Sequence, residues 1–175
     1  LMMKDEPFLV MLMKNIHRFG IENFILLSGH ANQILTSHFE ENDYSFKVKI
    51  IVEKELLGTG GAIKNAAGQL PDEFFCFNGD SILLGNWLKI KDLVKDDIFA
   101  SVALTQVDNS DRFGNVKIDK QNYITSFTEK ISSSNIINAG VYFFKKKIFE
   151  NFNNDKFSIE VDIMPELLKT KKIKG

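Results

Sequence analysis

Asn78-Gly79-Asp80 follows the apolar run Phe74-Phe75-Cys76-Phe77 and puts a carboxylate at the end of a buried strand. Such a carboxylate can hold Mg²⁺ through one or two oxygens while phosphates and waters complete an octahedron. The same residues also make a turn, with Asn-Gly reversing the chain and Asp80 capping the next segment. Glu129-Lys130 offers a carboxylate for sugar hydroxyls and an ammonium for a phosphate, or a surface ion pair at a strand end. Asp111-Arg112-Phe113-Gly114-Asn115 fits a ligand clamp or a loop turn equally well. His17, His30 and His38 lack metal-ligand spacing, and no Ser-His-Asp or Cys-His arrangement emerges. The single cysteine, Cys76, reads as a small buried hydrophobe rather than a nucleophile. One cysteine makes neither an internal disulfide nor a cysteine-based zinc site, and it fits a reducing compartment.

A second candidate is the glycine cluster Leu57-Gly58-Thr59-Gly60-Gly61-Ala62, between the strand-like run Lys47 to Val52 and a helix-compatible stretch from Ala62 to Ala67. Glycines at a strand-to-helix turn let backbone approach a ligand, and helix N–H groups suit an anion. Tight packing explains the same glycines. The pattern is not G-x-G-x-x-G, because Ile63 stands at the third glycine, and no Gly-Lys-Ser/Thr makes it a Walker A loop.

These groups need elements to position them. Asp5-Glu6-Pro7 starts a helix whose apolar face is Phe8, Leu9, Met11, Leu12, Ile16 and Phe19, and Gly20 stops it. Phe24 to Leu27 reads as a buried strand ending at Ser28-Gly29-His30, Asn32 to Phe39 as a helix, and Glu73 to Phe77 as another buried strand. Strands and helices alternate and the strands are apolar throughout, which predicts a parallel sheet covered on both faces, with ligands at the carboxyl ends of its strands. Then come a strand over Ile98 to Val107, a hairpin over Val116 to Asp119 and Tyr123 to Phe127, and a strand over Ile136 to Phe144 interrupted by Ala139-Gly140. A glycine inside a strand marks a close approach by a ligand or another backbone. Ser158 caps a helical segment with Glu160 and Asp162 in its first turn, and Pro165 kinks or restarts it.

With 175 residues, 44% hydrophobic and 26% charged, the chain is an ordinary single globular α/β domain. A net charge of −1, with no basic cluster before the final lysines, argues against a nucleic-acid footprint. Lys169 to Lys174 reads as a solvated helix end. No apolar run reaches membrane-spanning length and no signal-peptide pattern is present, so no membrane partner is expected and the cytoplasm is the default location.

Taken in order, Leu57-Gly58-Thr59-Gly60-Gly61-Ala62, Asn78-Gly79-Asp80, Phe113-Gly114, Phe127-Thr128-Glu129-Lys130, Ile137-Asn138-Ala139-Gly140-Val141-Tyr142 and Ser158-Ile159-Glu160-Val161-Asp162 with Pro165 resemble the sugar-1-phosphate nucleotidyltransferase family. Each motif is weak, but six in the right order across nearly the whole chain are specific. Glu53-Lys54-Glu55, Asn78-Gly79-Asp80-Ser81 and Asp111 to Val116 look most like the bacterial heptose 1-phosphate guanylyltransferases. The resemblance implies a Rossmann-like three-layer sandwich of the nucleotide-diphospho-sugar transferase type, its sheet mostly parallel with an antiparallel strand and a hairpin in the second half. It implies that Glu53, Leu57, Gly58, Thr59, Asn78 and Gly79 bind the nucleotide, GTP being favoured. By the same resemblance Asp80 binds Mg²⁺ and is catalytic with Lys130, which meets the sugar phosphate. Phe113, Gly114, Glu129, Asn138, Ala139 and Gly140 would line a sugar 1-phosphate, and a homo-oligomer stays open.

Two family features are missing: the N-terminal G-G-x-G-T-R type phosphate loop with its following P-K pair, and a second metal-binding aspartate near the C-terminus. The expectation is therefore one domain over 1–175 truncated at both ends, or a chain that has lost catalysis. By itself it should show little transferase activity, and an absent first strand would leave two sheet neighbours with an open edge. A non-catalytic regulatory subunit and a nucleotide-sugar-dependent glycosyltransferase are the competing readings, the latter lacking a D-x-D pair at Asn78-Gly79-Asp80.

Overall fold

The computed structural model describes residues 2–3, 6–29, 32–108, 115–128, 135–150 and 152–175. Its strands are β1 (Met2–Met3), β2 (Glu6–Pro7), β3 (Asn23–Ser28), β4 (Lys47–Val52), β5 (Glu73–Phe77), β6 (Ala100–Gln106), β7 (Asn115–Ile118), β8 (Ile124–Thr128), β9 (Ile136–Lys145) and β10 (Ile173–Lys174). Its α-helices are α1 (Phe8–His17), α2 (Asn32–Glu41), α3 (Gly58–Asn65), α4 (Lys147–Glu150) and α5 (Met164–Lys169).

Pro7, with φ −60° and ψ 135°, caps α1 from outside rather than opening it, because its extended backbone ends where the helix begins. At the other end Gly20 takes φ +88° and donates its N–H to the His17 carbonyl at 2.8 Å. The glycine cluster does not precede its helix but forms its first turn, since α3 starts at Gly58. Ser158 caps as expected: its hydroxyl accepts from the Glu160 and Val161 N–H groups, and the Asp162 carboxylate accepts the Ser158 N–H at 2.7 Å. A π-helical turn, Ile159–Ile163, comes next and passes into α5, with Pro165 in its first positions.

β9 organises the sheet. Along one edge it pairs antiparallel with β6, and along the other with β5 in its second half and β7 in its first. Side chains alternate across these strands. Phe74, Cys76, Tyr142 and Phe144 pack with α3, α4 and α5 residues on one face. Phe75, Phe77, Val141 and Phe143 pack with α1 residues and the 3₁₀ helix Trp87–Leu93 on the other. That is the expected α/β sandwich of three layers, with the phenylalanine-rich strand β5 half-buried and packed on both faces.

Strand direction is more mixed than the repeating strand-helix pattern predicts. β3 and β4 form a parallel pair, but β5 does not join them; it lies antiparallel to β9. A continuous apolar run reports two buried faces and carries no information about neighbours. Among the described residues β3 pairs only with β4 and β5 only with β9, so each has one edge without a strand partner. Phe24 of β3 nevertheless packs in the same cluster as Phe75 and Phe77 of β5.

The lysine-rich end is not a continued helix. α5 stops at Lys169, Lys171 adopts φ +52°, and Ile173, fully buried, adds a short parallel strand beside Ala100 of β6. No described helix is long and apolar enough to cross a membrane.

Candidate functional site

The site grows out of an irregularity in β9. Three residues of β6, Val102 to Leu104, are matched against five of β9, Tyr142 to Asn138. The excess is absorbed at Ala139-Gly140, where Gly140 takes φ +73°, open to glycine at little cost. The close approach this glycine permits comes from Asn78: a Cβ on Gly140 would lie 3.0 Å from the Asn78 side chain. The Asn78 N–H also donates to the Gly140 carbonyl at 2.8 Å. The end of β5 is thereby fastened to the bulge. Between the stretches of β9 that β5 and β7 occupy, the chain opens a cavity of about 680 Å³.

Asn78, Asp80, Asn138, Ala139 and Gly140 all line this cavity, as do Tyr142, Thr105, Phe127 and Glu160. Five sequence-selected residues thus converge from β5 and β9. Asp80 is exposed, and the Ser81 hydroxyl donates to its Oδ1 at 2.9 Å. Gly79 lies in the exposed turn between Asn78 and Asp80 without lining the cavity. Phe113, Gly114, Glu129 and Lys130 fall outside the described residues, as do Asp111, Arg112 and His30. Among the described lining residues the charges are the two carboxylates of Asp80 and Glu160, with no Lys, Arg or His. A phosphate entering here needs a cation beside it.

Asp80 fits Mg²⁺ by its chemistry. The ion takes one or two carboxylates and keeps the rest of its octahedron for phosphates and water, so one exposed carboxylate at a cavity mouth is a suitable donor set. Among the described residues no cluster of three or more His, Cys, Asp or Glu forms an all-protein cage.

The glycine cluster has a clear packing role. The N–H groups of Gly60 and Gly61 donate to the Phe157 carbonyl at 3.0 and 3.1 Å, and the Phe157 N–H donates to the Leu57 carbonyl at 3.0 Å. Two of the N–H groups that suited an anion at this helix start are therefore used within the chain. A Cβ on Gly60 would lie 2.4 Å from the Phe157 ring, and one on Gly61 2.2 Å from the Asp155 carbonyl. Lys64 secures the same strap, donating to Phe152 and Asn154 carbonyls at 2.8 and 3.2 Å and to the Asp155 carboxylate at 2.9 Å. What remains open is the face at Gly58 and Thr59, both exposed. Glu53 accepts the Leu57 N–H on Oε2 at 3.0 Å, which fixes the loop entering this turn.

Glu160, named from sequence as an acid in a helix's first turn and within a motif of the resemblance but given no site role, also lines the cavity. Its Oε2 accepts from the Thr59 hydroxyl at 3.0 Å and the Ser158 hydroxyl at 2.9 Å, while Thr59 accepts the Ile159 N–H at 2.9 Å. The strap and the glycine helix thus meet at the cavity wall. A carboxylate two residues after a cap was the available signal.

Cys76, on β5 behind the cavity, has its thiol pushed up from 9.0 to about 12, by burial first and by the Glu160 charge second. In the unfolded chain the thiol ionises above pH 9, whereas in the folded chain it stays protonated, so stability is complete below pH 9 and declines as pH rises toward 12. At pH 10 the loss from this group is about 1 kcal/mol. Cys76→Ala should flatten the urea-midpoint profile between pH 8.5 and 10.5, and an unchanged slope would refute the assignment. In the native protein Cys76 should resist alkylation at pH 8.

Comparisons with known proteins give the chain's family. A family model described as nucleotidyl transferase matches residues 1–172. The chain is 32% identical over 169 residues to D-glycero-α-D-manno-heptose 1-phosphate guanylyltransferase of Campylobacter jejuni, covering 95% of this chain and 75% of that protein. It is 34% identical over 162 residues to the bifunctional protein GlmU of Methanococcus aeolicus, covering 89% of this chain and 38% of that longer protein. Among solved structures, HddC from Yersinia pseudotuberculosis complexed with GMP-PN superposes with a TM-score of 0.82 at 35% identity, over 92% of this chain and 72% of that one. The chain belongs to the nucleotidyl transferase family.

Proposed function

We propose that this protein transfers a nucleotidyl group to a sugar 1-phosphate, with GTP as the favoured donor and a heptose 1-phosphate as the favoured acceptor. An oxygen of the sugar phosphate forms a bond to the α-phosphorus. The bond from that phosphorus to the bridging oxygen breaks, and its electron pair leaves with pyrophosphate. The observation that carries the reading is the convergence of the Asp80 carboxylate and the Asn138–Gly140 bulge on one cavity. The similarity to a heptose 1-phosphate guanylyltransferase and to a GMP-PN complex supports the choice of substrates.

The protein's task is to hold two anions in line. Asn138 and the bulge face the sugar, and the sequence resemblance adds Phe113, Gly114 and Glu129 as sugar residues and Lys130 as a point charge for the sugar phosphate. Gly58 and Thr59, both exposed, receive base and ribose, and Leu57, Asn78 and Gly79 complete the nucleotide-binding set. Glu53 uses one oxygen for its own loop, and the other suits the N1–H and N2–H₂ donors of guanine. Mg²⁺, held through Asp80, supplies the charge that screens the two phosphates from one another. The product is a nucleotide-activated sugar for surface polysaccharide, made in the cytoplasm.

The test is a thermal-shift panel of nucleoside triphosphates and sugar 1-phosphates with Mg²⁺, joined to a pyrophosphate-release assay with GTP and D-glycero-α-D-manno-heptose 1-phosphate. GTP should raise the midpoint more than ATP, CTP, UTP or dTTP, because ligand binding stabilises by mass action. Equal shifts for all five would remove the guanylyl assignment.

A further inference from the structure

The hydrogen bonds at the ends of β3 and β5 fix which backbone groups each strand turns to its open edge. The Lys47 N–H donates to the Glu22 carbonyl and the Glu53 N–H to the Ser28 carbonyl, at 2.7 and 2.8 Å. Bonding in a parallel pair uses alternate residues, so the even-numbered residues of β3 face β4, and Asn23, Ile25 and Leu27 turn their N–H and C=O groups the other way. On β5 the Lys146 N–H donates to the Asp72 carbonyl at 2.7 Å and the Asn78 N–H to the Gly140 carbonyl at 2.8 Å. Even-numbered residues of β5 therefore face β9, and Glu73, Phe75 and Phe77 present their backbone groups at the opposite edge. Neither row meets a strand among the described residues.

The two edges border one gap. Phe24 belongs to the same cluster as Phe75 and Phe77 on one face, and Leu27 to the same cluster as Phe74 and Cys76 on the other, so each face of β3 continues the matching face of β5. Strands on either side of a single strand position lie roughly 9.5 Å apart, too far for backbone bonds and near enough for side chains to share a cluster. Exposure agrees: Phe24 to Leu27 and Phe74 to Phe77 are half-buried, whereas Val141 to Phe144 of β9, with strands on both sides, are buried. We propose that β3 and β5 accept between them one extended partner strand of five or six residues, apolar on both faces and with both of its backbone edges free. Main-chain hydrogen bonds along two edges supply the recognition, and side chains of alternate residues enter the two apolar clusters. A second copy offers no such strand, because every described strand of that length is already paired on at least one edge. This surface goes beyond the nucleotidyl transfer proposed above and does not depend on it.

Amide hydrogen exchange on the full chain tests this, with a synthetic peptide of alternating valines and isoleucines, flanked by lysines for solubility, as the strand. A control peptide keeps the same side chains but has alternate amides N-methylated, which removes the donors along one of its edges. In the free protein the amides of Ile25, Leu27, Phe75 and Phe77 should exchange at least ~10-fold faster than those of Leu26 and Cys76, which are bonded within the sheet. The unmodified peptide should slow those four amides by about 10-fold or more and raise the thermal midpoint, and the N-methylated peptide should do neither. Trp87, the single tryptophan, has its ring 5.0 and 4.9 Å from those of Phe75 and Phe77, and its fluorescence should change saturably with the unmodified peptide alone. Protection of the four amides in the free monomer overturns the proposal, and so does a peptide that leaves them unprotected. Equal effects of the two peptides mean apolar adhesion and overturn it as well. Sedimentation velocity covers the remaining case: a dimer that protects these amides without peptide assigns the edges to a second copy and overturns the partner strand.

Discussion

Gly61→Ala is expected to destabilise the protein by about 3 kcal/mol, the upper part of the ordinary range for overpacking a close contact. The new Cβ would lie 2.2 Å from the Asp155 carbonyl oxygen and 3.0 Å from Leu57 Cβ. Neither obstacle is the free end of a flexible side chain. The strap bearing Asp155 is fixed by Lys64, by the Gly60 and Gly61 N–H bonds to Phe157, and by the stack of Phe157 on Phe152 at 4.6 Å and 11°. Moving the strap also moves Ser158 and Glu160, so the loss of stability should come with loss of stabilisation by sugar phosphate. Gly68→Ala is the control: nothing lies within 4 Å of its Cβ, and the change should be neutral or mildly stabilising. Urea unfolding measures both. A Gly61→Ala midpoint equal to that of wild type would mean that the strap yields freely.

This contact also shows what sequence could and could not convey. The cluster Gly58 to Gly61 announces that something approaches the backbone closely, and tight packing was one of the two explanations. The partner segment, Asp155 to Phe157, lies almost a hundred residues away, and no local pattern connects the two. β5 was legible to the residue because four consecutive apolar positions bounded by Asn-Gly-Asp leave little choice. Its pairing was not: Phe77 meets Val141, and the antiparallel sense comes from β9 occupying the middle of the sheet. Gly140 was correctly singled out as a close approach, although the visitor is the Asn78 side chain. The 3₁₀ helix Trp87–Leu93 escaped notice because it is too short to display a helical face. Glu160 was quoted in a motif but given no site role, because a carboxylate in a first turn ordinarily serves the helix dipole, and only the tertiary fold turns it toward the cavity and Thr59.

Asp80→Asn should reduce turnover at least ~100-fold and abolish most of the Mg²⁺-dependent part of GTP binding, since removing a charge that faces developing phosphate charge costs several kcal/mol in active sites. The substitution keeps the shape and the Ser81 contact, because the amide oxygen can still accept from that hydroxyl at Oδ1. What it removes is the negative charge. Asp80 is exposed at the end of β5 and supports no other described element, so the unliganded midpoint should remain within about 1 °C of wild type, as for surface changes generally. Comparing the GTP-induced thermal shift with Mg²⁺ and with EDTA isolates the metal-dependent component without reference to turnover. In wild type the two shifts should differ clearly, in Asp80→Asn they should coincide, and Asp80→Glu should restore part of the difference by returning the charge at altered reach. A full Mg²⁺-dependent shift in Asp80→Asn would show that the ion is held elsewhere. The neighbouring carboxylate gives the internal control: Glu160, in the same cavity but committed to Thr59 and Ser158, should leave the metal-dependent shift intact when changed to Gln. The two acids then have separable tasks, one on the nucleotide's metal and the other in joining the Ser158 turn to the glycine helix.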